Sequence, residues 1–321
     1  MKSLIIFVAV ILAVNALTLK DQWTNFKIEH GKVYKNLAEE KLRFNIFQQT
    51  LKKIEEHNKK YNAGLSTYWM GINQFSDLTT EEFAARQKKQ IANKPKIVAE
   101  LHVPTNRSVP KEIDWREKGA VMEVKDQKDC SSCWAFSATG ALEGQIAIKN
   151  NKRVSLSEQQ LIDCSVSYGN EWGCELGGEA NYAFDYVRDH GIESEEDYPY
   201  KNAQLNCSAK AEKSVLTSIK GYKNLPEFDD EALREAVGTV GPISVSIYSV
   251  PIQHYAGGIF DGDCDDMPDH GVLVVGYGEG SIPYWIVKNS WGKTWGEDGY
   301  FRMARRDGLC WISSDALYPE L

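Results

Sequence analysis

All seven cysteines of this chain lie between residues 130 and 310, and the first 129 residues contain none. In an exported protein, an odd number of cysteines indicates three disulfides and one free thiol. The pattern therefore predicts a cross-linked C-terminal domain with one unpaired cysteine, preceded by a segment without disulfides. The positions alone allow many pairings of the seven residues, which are Cys130, Cys133, Cys164, Cys174, Cys207, Cys264 and Cys310.

The N-terminus indicates export. Lys2 precedes an uninterrupted apolar run over residues 4–14, and the stretch Val14-Asn15-Ala16 fits a small-residue cleavage site. The run is too short to span a bilayer comfortably, which favours a signal peptide over a membrane anchor. We therefore predict a signal peptide at residues 1–16, with a buried terminal helix as the less favoured alternative.

Charge and composition set broad limits on the class of protein. With 26% charged and 42% hydrophobic residues, the chain has the composition of one large or two medium globular domains. The formal net charge of −8 argues against a nucleic-acid partner, because phosphate binding requires a basic patch.

The segment over residues 17–108 is rich in Lys, Glu and Asn, and its apolar periodicity predicts helices. Residues recur at steps of three and four along one face of a long helix, at Phe47, Leu51, Ile54, Asn58 and Tyr61. Glu39 and Arg43 are spaced for an i,i+4 ion pair on that helix. Residues 79–83 predict a short capped helix, and residues 87–110 predict an exposed linker that is open to proteolysis.

Residues 109–321 predict helices first and strands second. This order indicates an α+β fold of two lobes with a cleft between them. The expected helices begin at Cys133 and cover residues 157–161 and 180–187, and the expected strands cover residues 243–247, 271–277, 284–288 and 299–303.

Cys133 lies where the first of these helices is expected to begin. A helix N-terminus offers free backbone N–H groups and positive potential, which lower a cysteine pKa to about 3.5–7.5 and favour a nucleophilic thiolate. Cys130 and Cys133 also form a C-x-x-C pair, which is compatible with a redox centre or with purely structural cysteines. A metal site is disfavoured because no second pair of Cys or His supplies four ligands.

Three separate segments resemble the papain-like cysteine peptidases, most closely the cathepsin L-like branch. The string Cys130-Ser131-Ser132-Cys133-Trp134 is similar to the signature around the active cysteine, which has His and Asn roughly 130–150 residues downstream. His270 follows Cys133 by 137 residues within DHGVLVVGYG, and Asn289 follows within KNSWG. The resemblance implies a papain-like fold, with a helical left lobe, a β-barrel-like right lobe and a cleft between.

The resemblance also implies a role for each catalytic residue. Cys133 attacks the peptide carbonyl, and His270 forms an ion pair with it and protonates the leaving amine. Asn289 orients the imidazole, Gln127 donates to the oxyanion together with the Cys133 backbone N–H, and Trp291 shields the His–Asn hydrogen bond. The remaining histidines are interpreted as structural: His30, His57, His102, His190 and His254.

The family pattern implies the disulfide pairing as well. Cys133 would stay free, and the redox interpretation is disfavoured because Cys130 is paired elsewhere. No cofactor and no metal are implied. The implied pairs are Cys130–Cys174, Cys164–Cys207 and Cys264–Cys310.

The N-terminal segment resembles the inhibitory propeptide of the same branch. One helical motif is present as Glu39, Arg43, Phe47, Thr50, Ile54 and Asn58, with Thr50 replacing the usual Asn, and a second as Gly71, Asn73, Phe75 and Asp77. We expect a propeptide at residues 17–108 that blocks the cleft of a peptidase domain at residues 109–321. Acid would release it by protonating carboxylates such as Asp77. A helical cap needed only for folding is the alternative.

Substrate-binding residues follow from the resemblance. Gly177 and Gly178 would lie along the cleft, together with Trp291 and the carbonyl of Asp269. The loop from Cys174 to Gly178 is one residue longer than the family usually has. The pocket for the second residue before the scissile bond would be lined by Glu179, Ala180, Ser246, Pro268, Gly271 and, at its base, Asp315.

Asp315 departs from the family pattern, because cathepsin L-like enzymes usually carry a small apolar residue at that position. The resemblance implies that an acidic residue there admits basic substrate side chains. A solvent-exposed aspartate without influence is the equal alternative.

Together, the sequence features and the resemblance predict the precursor of a cysteine endopeptidase that acts on proteins and peptides in lysosomes or in a digestive fluid. We expect a monomer with its own propeptide as inhibitor, no nucleic-acid partner, and no membrane attachment after signal removal. A silent homologue with a binding or storage role, and a thiol oxidoreductase, are the alternatives from other classes. Asn106 and Asn206 lie in N-x-[ST] glycosylation motifs.

Overall fold

The computed structural model describes residues 18–87, 100–104, 108–169, 173–175 and 177–321. The expected signal peptide and most of the expected linker lie outside these residues, as does Asn106 of the first glycosylation motif. Within the described part of the chain, no helix is both long and apolar enough to cross a membrane.

The N-terminal region is helical, as its periodicity predicts. Thr18 forms a capping box with Asp21 at the start of the first helix, and Asn36 caps the second. Trp23, Phe26 and Phe47 pack together where these two helices meet. The elements are α1 (Leu19–Glu29), α2 (Leu37–Asn62), β1 (Tyr68–Met70) and α3 (Thr80–Gln87).

The expected ion pair between Glu39 and Arg43 is replaced by a tertiary one. The Arg43 guanidinium lies 2.7 Å from Glu82 at the start of α3 and donates to the carbonyl of Asp77 at 3.1 Å. Glu39 instead accepts from the backbone N–H of Lys35. A neighbouring element offers Arg43 a partly buried carboxylate, which binds more strongly than an exposed partner on its own helix. Arg43 therefore ties α2 to the segment that continues toward the C-terminal domain.

The C-terminal domain has the helix-first, strand-second order that the sequence predicts. The helices are α4 (Cys133–Asn150), α5 (Glu158–Cys164), α6 (Ala180–His190) and α7 (Asp230–Thr239). The remaining strands are β2 (Glu100–Leu101), β3 (Ile113–Asp114), β4 (Gly221–Asn224), β5 (Ile243–Ile247), β6 (Tyr255–Phe260), β7 (His270–Gly278), β8 (Tyr284–Lys288), β9 (Tyr300–Ala304) and β10 (Ala316–Glu320). Short 3₁₀ turns lie at Val166–Tyr168, Ala211–Lys213, Val250–Ile252 and Leu309–Trp311.

One mixed sheet joins the two regions of the chain. Its strand order is β1-β6-β9-β8-β7-β5-β10-β4-β2, with β3 paired to β7. The N-terminal β1 pairs with β6 in antiparallel register, with Tyr68 opposite Gly258 and Met70 opposite Tyr255. The N-terminal region thus adds an edge strand to the sheet of the C-terminal domain, which gives it a directional, hydrogen-bonded anchor.

Two hydrophobic cores define the two lobes. One surrounds α4 and includes Trp134, Leu142 and Phe184, whereas the other lies between the strands and includes Trp285 and Phe301. Helix α4 lies against β7 at the junction, and two of its glycines allow this close approach. A Cβ added at Gly140 would lie 2.7 Å from Leu273, and one at Gly144 would lie 2.8 Å from Pro242. The helix is thereby held close to β7 and to the start of β5.

The structure forms the three disulfides that the resemblance implies, Cys130–Cys174, Cys164–Cys207 and Cys264–Cys310. All seven cysteines lie among the described residues, and Cys133 is the one that no disulfide uses.

Candidate active site

Cys133 is the first residue of α4 and is 6% exposed. The positive end of a helix stabilises a thiolate at this position. Strand β7 begins directly opposite: a Cβ added at Gly271 would lie 3.3 Å from the Cys133 carbonyl carbon and 3.3 Å from the backbone nitrogen of Trp134. The residue before Gly271 is His270, so the fold brings the expected nucleophile and the expected proton carrier to one place.

A hydrogen bond to Asn289 sets the protonation of the His270 ring. His270 Nε2 lies 2.7 Å from Asn289 Oδ1, and the same oxygen accepts the backbone N–H of Ser290 at 2.8 Å. Because that atom accepts from a backbone N–H, it is the amide oxygen, so Nε2 must carry a hydrogen. Nδ1 is then the ring nitrogen that can take a proton from a thiol.

Trp291 covers this hydrogen bond. Its ring stacks on His270 with centroids 4.7 Å apart and an interplanar angle of 28°, and it is 2% exposed. Trp295 meets the Trp291 ring edge-on, with centroids 4.8 Å apart. His270 and Asn289 are themselves buried, and a low-dielectric environment strengthens a hydrogen bond.

Gln127 is held on both sides of its amide group. Its Oε1 accepts the hydroxyl of Ser290 at 2.6 Å, and its Nε2 donates to the carbonyl of Cys130 at 3.0 Å. The backbone N–H of Gln127 also donates to the Ser290 carbonyl at 2.8 Å. The second amide hydrogen is left for another acceptor, and its position is fixed before a substrate arrives.

The fold brings together three of the residues expected to line the substrate pocket: Ser246, Gly271 and Asp315. Ser246 of β5 is paired with Gly271 of β7, and the Ser246 hydroxyl donates to Asp315 Oδ2 at 3.3 Å. Gly177 adopts a left-handed φ of 83°, which favours glycine. Leu176, in the loop that is one residue longer than expected, lies outside the described residues. Gly178, expected along the cleft, is partly exposed, as are three further expected pocket residues, Glu179, Ala180 and Pro268.

The side chain of Asp269 is a feature that the sequence reasoning missed, since only its carbonyl was given a role. Its Oδ1 accepts the backbone N–H of Ser249 at 2.8 Å. Burial raises the pKa of Asp269 to about 6 although this hydrogen bond opposes the shift. A carboxyl that titrates in this range lies immediately before His270.

A buried ionic cluster lies behind the site and was also missed, because its members are far apart in sequence. Lys125 Nζ contacts both oxygens of Glu158 at 2.7 and 2.8 Å, with Glu143 at 3.7 Å. Burial lowers the pKa of Lys125, but the charges of Glu158 and Glu143 outweigh it and raise the pKa overall. Burial lowers the pKa of Lys288 and raises that of Glu143. A cavity of about 20 Å³, large enough for one water, separates this cluster from Asn289.

The N-terminal region covers the site. Phe75 and Phe83 meet Trp291 edge-on, with ring centroids 5.3 and 5.4 Å from it, and Gln74 Nε2 donates to the Trp291 carbonyl at 2.6 Å. Arg86 extends to the loop before Cys133, where it contacts Asp129 at 2.7 Å and the carbonyl of Lys128 at 2.7 Å.

Metal chemistry has no candidate centre in the described part of the chain. No group of three or more His, Cys, Asp or Glu side chains is arranged there to hold a metal ion.

Comparisons with known proteins match both parts of the chain. Residues 109–320 match the family described as papain family cysteine protease, and residues 23–83 match the cathepsin propeptide inhibitor domain. The chain is 47% identical to a cathepsin L-like proteinase of Phaedon cochleariae over the full length of both, and 45% identical to digestive cysteine proteinase 3 of Homarus americanus over 95% of this chain and 96% of that one. The structure of digestive procathepsin L 3 from the larval midgut of Tenebrio molitor matches with a TM-score of 0.89 and 44% identity, covering 95% of this chain and all of that one.

Proposed function

Because the chain belongs to the papain family of cysteine proteases, as a cathepsin L-like precursor with a propeptide inhibitor domain, we propose that Cys133 and His270 are its catalytic pair. The observation that carries this proposal is the position of Cys133, which no disulfide uses, at the start of α4, where β7 begins with a histidine hydrogen-bonded to Asn289.

Catalysis would proceed through an acyl-enzyme. The Cys133 thiolate adds to the peptide carbonyl, and the resulting oxyanion accepts from Gln127 Nε2 and from the Cys133 backbone N–H. One such donor is worth about 3 kcal/mol of transition-state stabilisation. The imidazolium of His270 gives its proton to the leaving amine as the C–N bond breaks, and His270 then takes a proton from the water that hydrolyses the thioester.

The processing scheme is part of the proposal. A signal peptide over residues 1–16 is removed first, and the propeptide over residues 17–108 is removed at acidic pH, which leaves residues 109–321 as the active enzyme. The contacts of Phe75, Phe83 and Arg86 with the site support inhibition by the intact propeptide. They also favour this role over that of a cap needed only for folding.

Asp315 is proposed to set the substrate preference. The proposal is supported by the hydrogen bond that Asp315 accepts from Ser246, which pairs with Gly271 of β7. The Asp315 carboxylate would then form an ion pair with a basic side chain at the second substrate residue before the scissile bond. The pocket would also accept apolar side chains at that position.

The place where the enzyme acts is proposed from the names of its relatives. Their names include digestive cysteine proteinases and cathepsin L proteins, which supports a digestive fluid or the lysosome as the place of action. We propose that the mature enzyme is a monomer that degrades proteins and peptides there.

Acidification of the purified precursor tests the proposal. At pH 4–5, we expect processing near Val109 and cleavage of a Phe-Arg reporter, with activity abolished by a thiol alkylator. The Cys133→Ser precursor is the matched control and should neither process itself nor cleave the reporter. Full processing without activity would contradict the proposal and would favour the silent homologue, and activity in the Cys133→Ser protein would exclude Cys133 as the nucleophile.

A further inference from the structure

Tyr200 contacts the catalytic machinery but has no role in the scheme above. Its hydroxyl oxygen lies 2.8 Å from the carbonyl oxygen of Gln127 and 2.9 Å from the hydroxyl of Ser132. Gln127 is the proposed oxyanion donor, and Ser132 is the N-cap residue directly before Cys133. One side chain from a distant loop therefore joins the two segments that flank the reacting carbonyl.

The direction of these hydrogen bonds follows from the groups involved. A backbone carbonyl only accepts, so the Tyr200 hydroxyl donates its hydrogen to Gln127. Tyr200 must then accept from the Ser132 hydroxyl, whose other acceptor, the carbonyl of Cys130, is farther away at 3.5 Å. The result is a directed chain from Ser132 through Tyr200 to Gln127.

Ser132 is available for this chain because it does not use its side chain as a helix cap. It is fully buried, and its hydroxyl makes no capping hydrogen bond to α4. The Tyr200 ring also meets Phe136, in the first turn of α4, edge-on at 5.1 Å. Tyr200 thus contacts the start of the helix at two points, one polar and one aromatic.

We propose that Tyr200 is a positioning residue that fixes the oxyanion donor Gln127 relative to the first turn of α4, and hence relative to the Cys133 sulfur. This inference rests on the roles proposed above for Cys133 and Gln127. Both oxyanion donors must point at one atom, and an error of 1 Å between them costs up to about a hundredfold in rate.

The electrostatics of Tyr200 agree with this position. Burial raises its pKa, and the negative charges of Glu158, Asp126 and Cys133 raise it further against a hydrogen bond from Ser132. Tyr200 therefore stays protonated through the whole working range of the enzyme and remains a donor to Gln127.

The neighbouring Tyr198 offers a matched control. Its hydroxyl also donates one hydrogen bond and accepts one: it donates to Asp163 at 2.9 Å and accepts from the backbone N–H of Ser208 at 3.1 Å. These partners lie beside the Cys164–Cys207 disulfide, away from the nucleophile. Tyr198→Phe removes the same atom from the same loop without touching the proposed chain.

The experiment compares mature enzymes prepared from full-length Tyr200→Phe, Tyr198→Phe and parent precursors. For Tyr200→Phe, we expect kcat to fall about tenfold or more, with KM within about twofold, because the lost alignment acts on the transition state. We also expect the pH midpoint of thiol alkylation to rise by about half a unit, since the helix N-terminus is less well aligned with the sulfur. Tyr198→Phe should match the parent in both.

Ser132→Ala tests the other end of the chain. It should reproduce the loss of kcat in part, and the double variant with Tyr200→Phe should be little worse than Tyr200→Phe alone. If Tyr200→Phe does not mature, Ser132→Ala with an unchanged kcat and alkylation midpoint overturns the proposal. Equal kinetics and equal alkylation midpoints in the two tyrosine variants also overturn it. Failure of the proposed function would show separately, as parent activity that resists alkylation.

Discussion

We expect protonation of His254 to loosen the propeptide when the precursor meets acid. His254 is 3% exposed and lies under the inhibitory segment, where its carbonyl accepts the backbone N–H of Gly71 at 2.9 Å. The next residue, Tyr255, pairs with Met70 of β1. Removing the propeptide uncovers this strand edge, so the imidazole changes its environment when the precursor opens.

The surroundings of His254 oppose a positive charge. Burial lowers its pKa to about 3, and the nearby ammonium group of Lys53 on α2 lowers it as well. Glu81 of α3 is the carboxylate that faces Lys53. Among the described residues, nothing accepts a hydrogen bond from Nδ1 of His254. Protonation would therefore bury an uncompensated charge at the interface.

The size of the effect of pH on propeptide release follows from the His254 pKa in two states. In the closed state the propeptide is in place, and in the open state it is displaced. In the open state the imidazole returns toward its ordinary pKa of about 6.5. A pKa that is lower in the closed state stabilises closure above pH 6.5, and this contribution is lost as the pH falls from 6.5 toward 3. At pH 5, the loss is 1.5 pH units, about 2 kcal/mol or about thirtyfold in the open-to-closed ratio.

The assay uses precursors that cannot process themselves. His254→Gln is placed in the Cys133→Ser precursor, and parent mature enzyme is added at pH 5 and at pH 7.5. The ratio of the two precursors' cleavage rates cancels the pH dependence of the added enzyme. We expect His254→Gln to be cut up to about thirtyfold more slowly than its parent at pH 5, and equally fast at pH 7.5.

Two further variants separate this effect from others. His190→Gln changes an exposed histidine of α6 that contacts Tyr168 and Tyr186, and it should match the parent at both pH values. Asp77→Asn tests the carboxylate trigger expected from the sequence, whose partners are Lys32 and Tyr34. A variant-to-parent ratio for His254→Gln that is the same at both pH values would refute the reasoning, since a packing defect would act equally at each.

Three other changes test separate parts of the structure. Asp315→Ala should lower the cleavage of Arg-Arg relative to Phe-Arg reporters, because the counter-charge is lost; an unchanged ratio contradicts the pocket assignment. Phe83→Ala should let the precursor process at higher pH than the parent, because the buried ring that meets Trp291 is removed, at a typical cost of about 3–5 kcal/mol; an unchanged processing midpoint would place the main inhibitory contact elsewhere. Lys125→Met should destabilise the mature domain by about 3–5 kcal/mol, because the buried Glu158 loses its partner, and a thermal melt that matches the parent would contradict a stabilising role for this ion pair.

Local patterns predicted several helices and strands well, and they indicated the candidate catalytic residues. The strands Ile243–Ile247 and Tyr284–Lys288 have the bounds that their apolar runs indicated, and the short helix after Thr79 begins where its cap predicted. Cys133 could be identified because its place at a helix start carries chemical meaning and because the matching histidine and asparagine segments follow in order.

Contacts between distant segments were beyond the reach of these patterns. Arg43 was expected to pair with Glu39 on its own helix, but it forms its ion pair with Glu82 on α3. His254 was interpreted as merely structural, since only the fold shows that the propeptide covers it. No sequence pattern identified Tyr200, because its proposed role depends on hydrogen bonds to Ser132 and Gln127. These residues precede it by 68 and 73 positions.

Trp291 contacts both the proposed catalytic histidine and the propeptide, which constrains how the propeptide can be released. One face of its ring stacks on His270 and protects the bond to Asn289, while Phe75 and Phe83 of the propeptide press against the same ring edge-on. A change at Trp291 would therefore weaken inhibition and catalysis together. Changes on the propeptide side weaken inhibition alone. Acid release can leave the active site undisturbed if the titrating groups act on the segment around β1 rather than on Trp291, and the His254 carbonyl accepts the backbone N–H of Gly71 directly after β1.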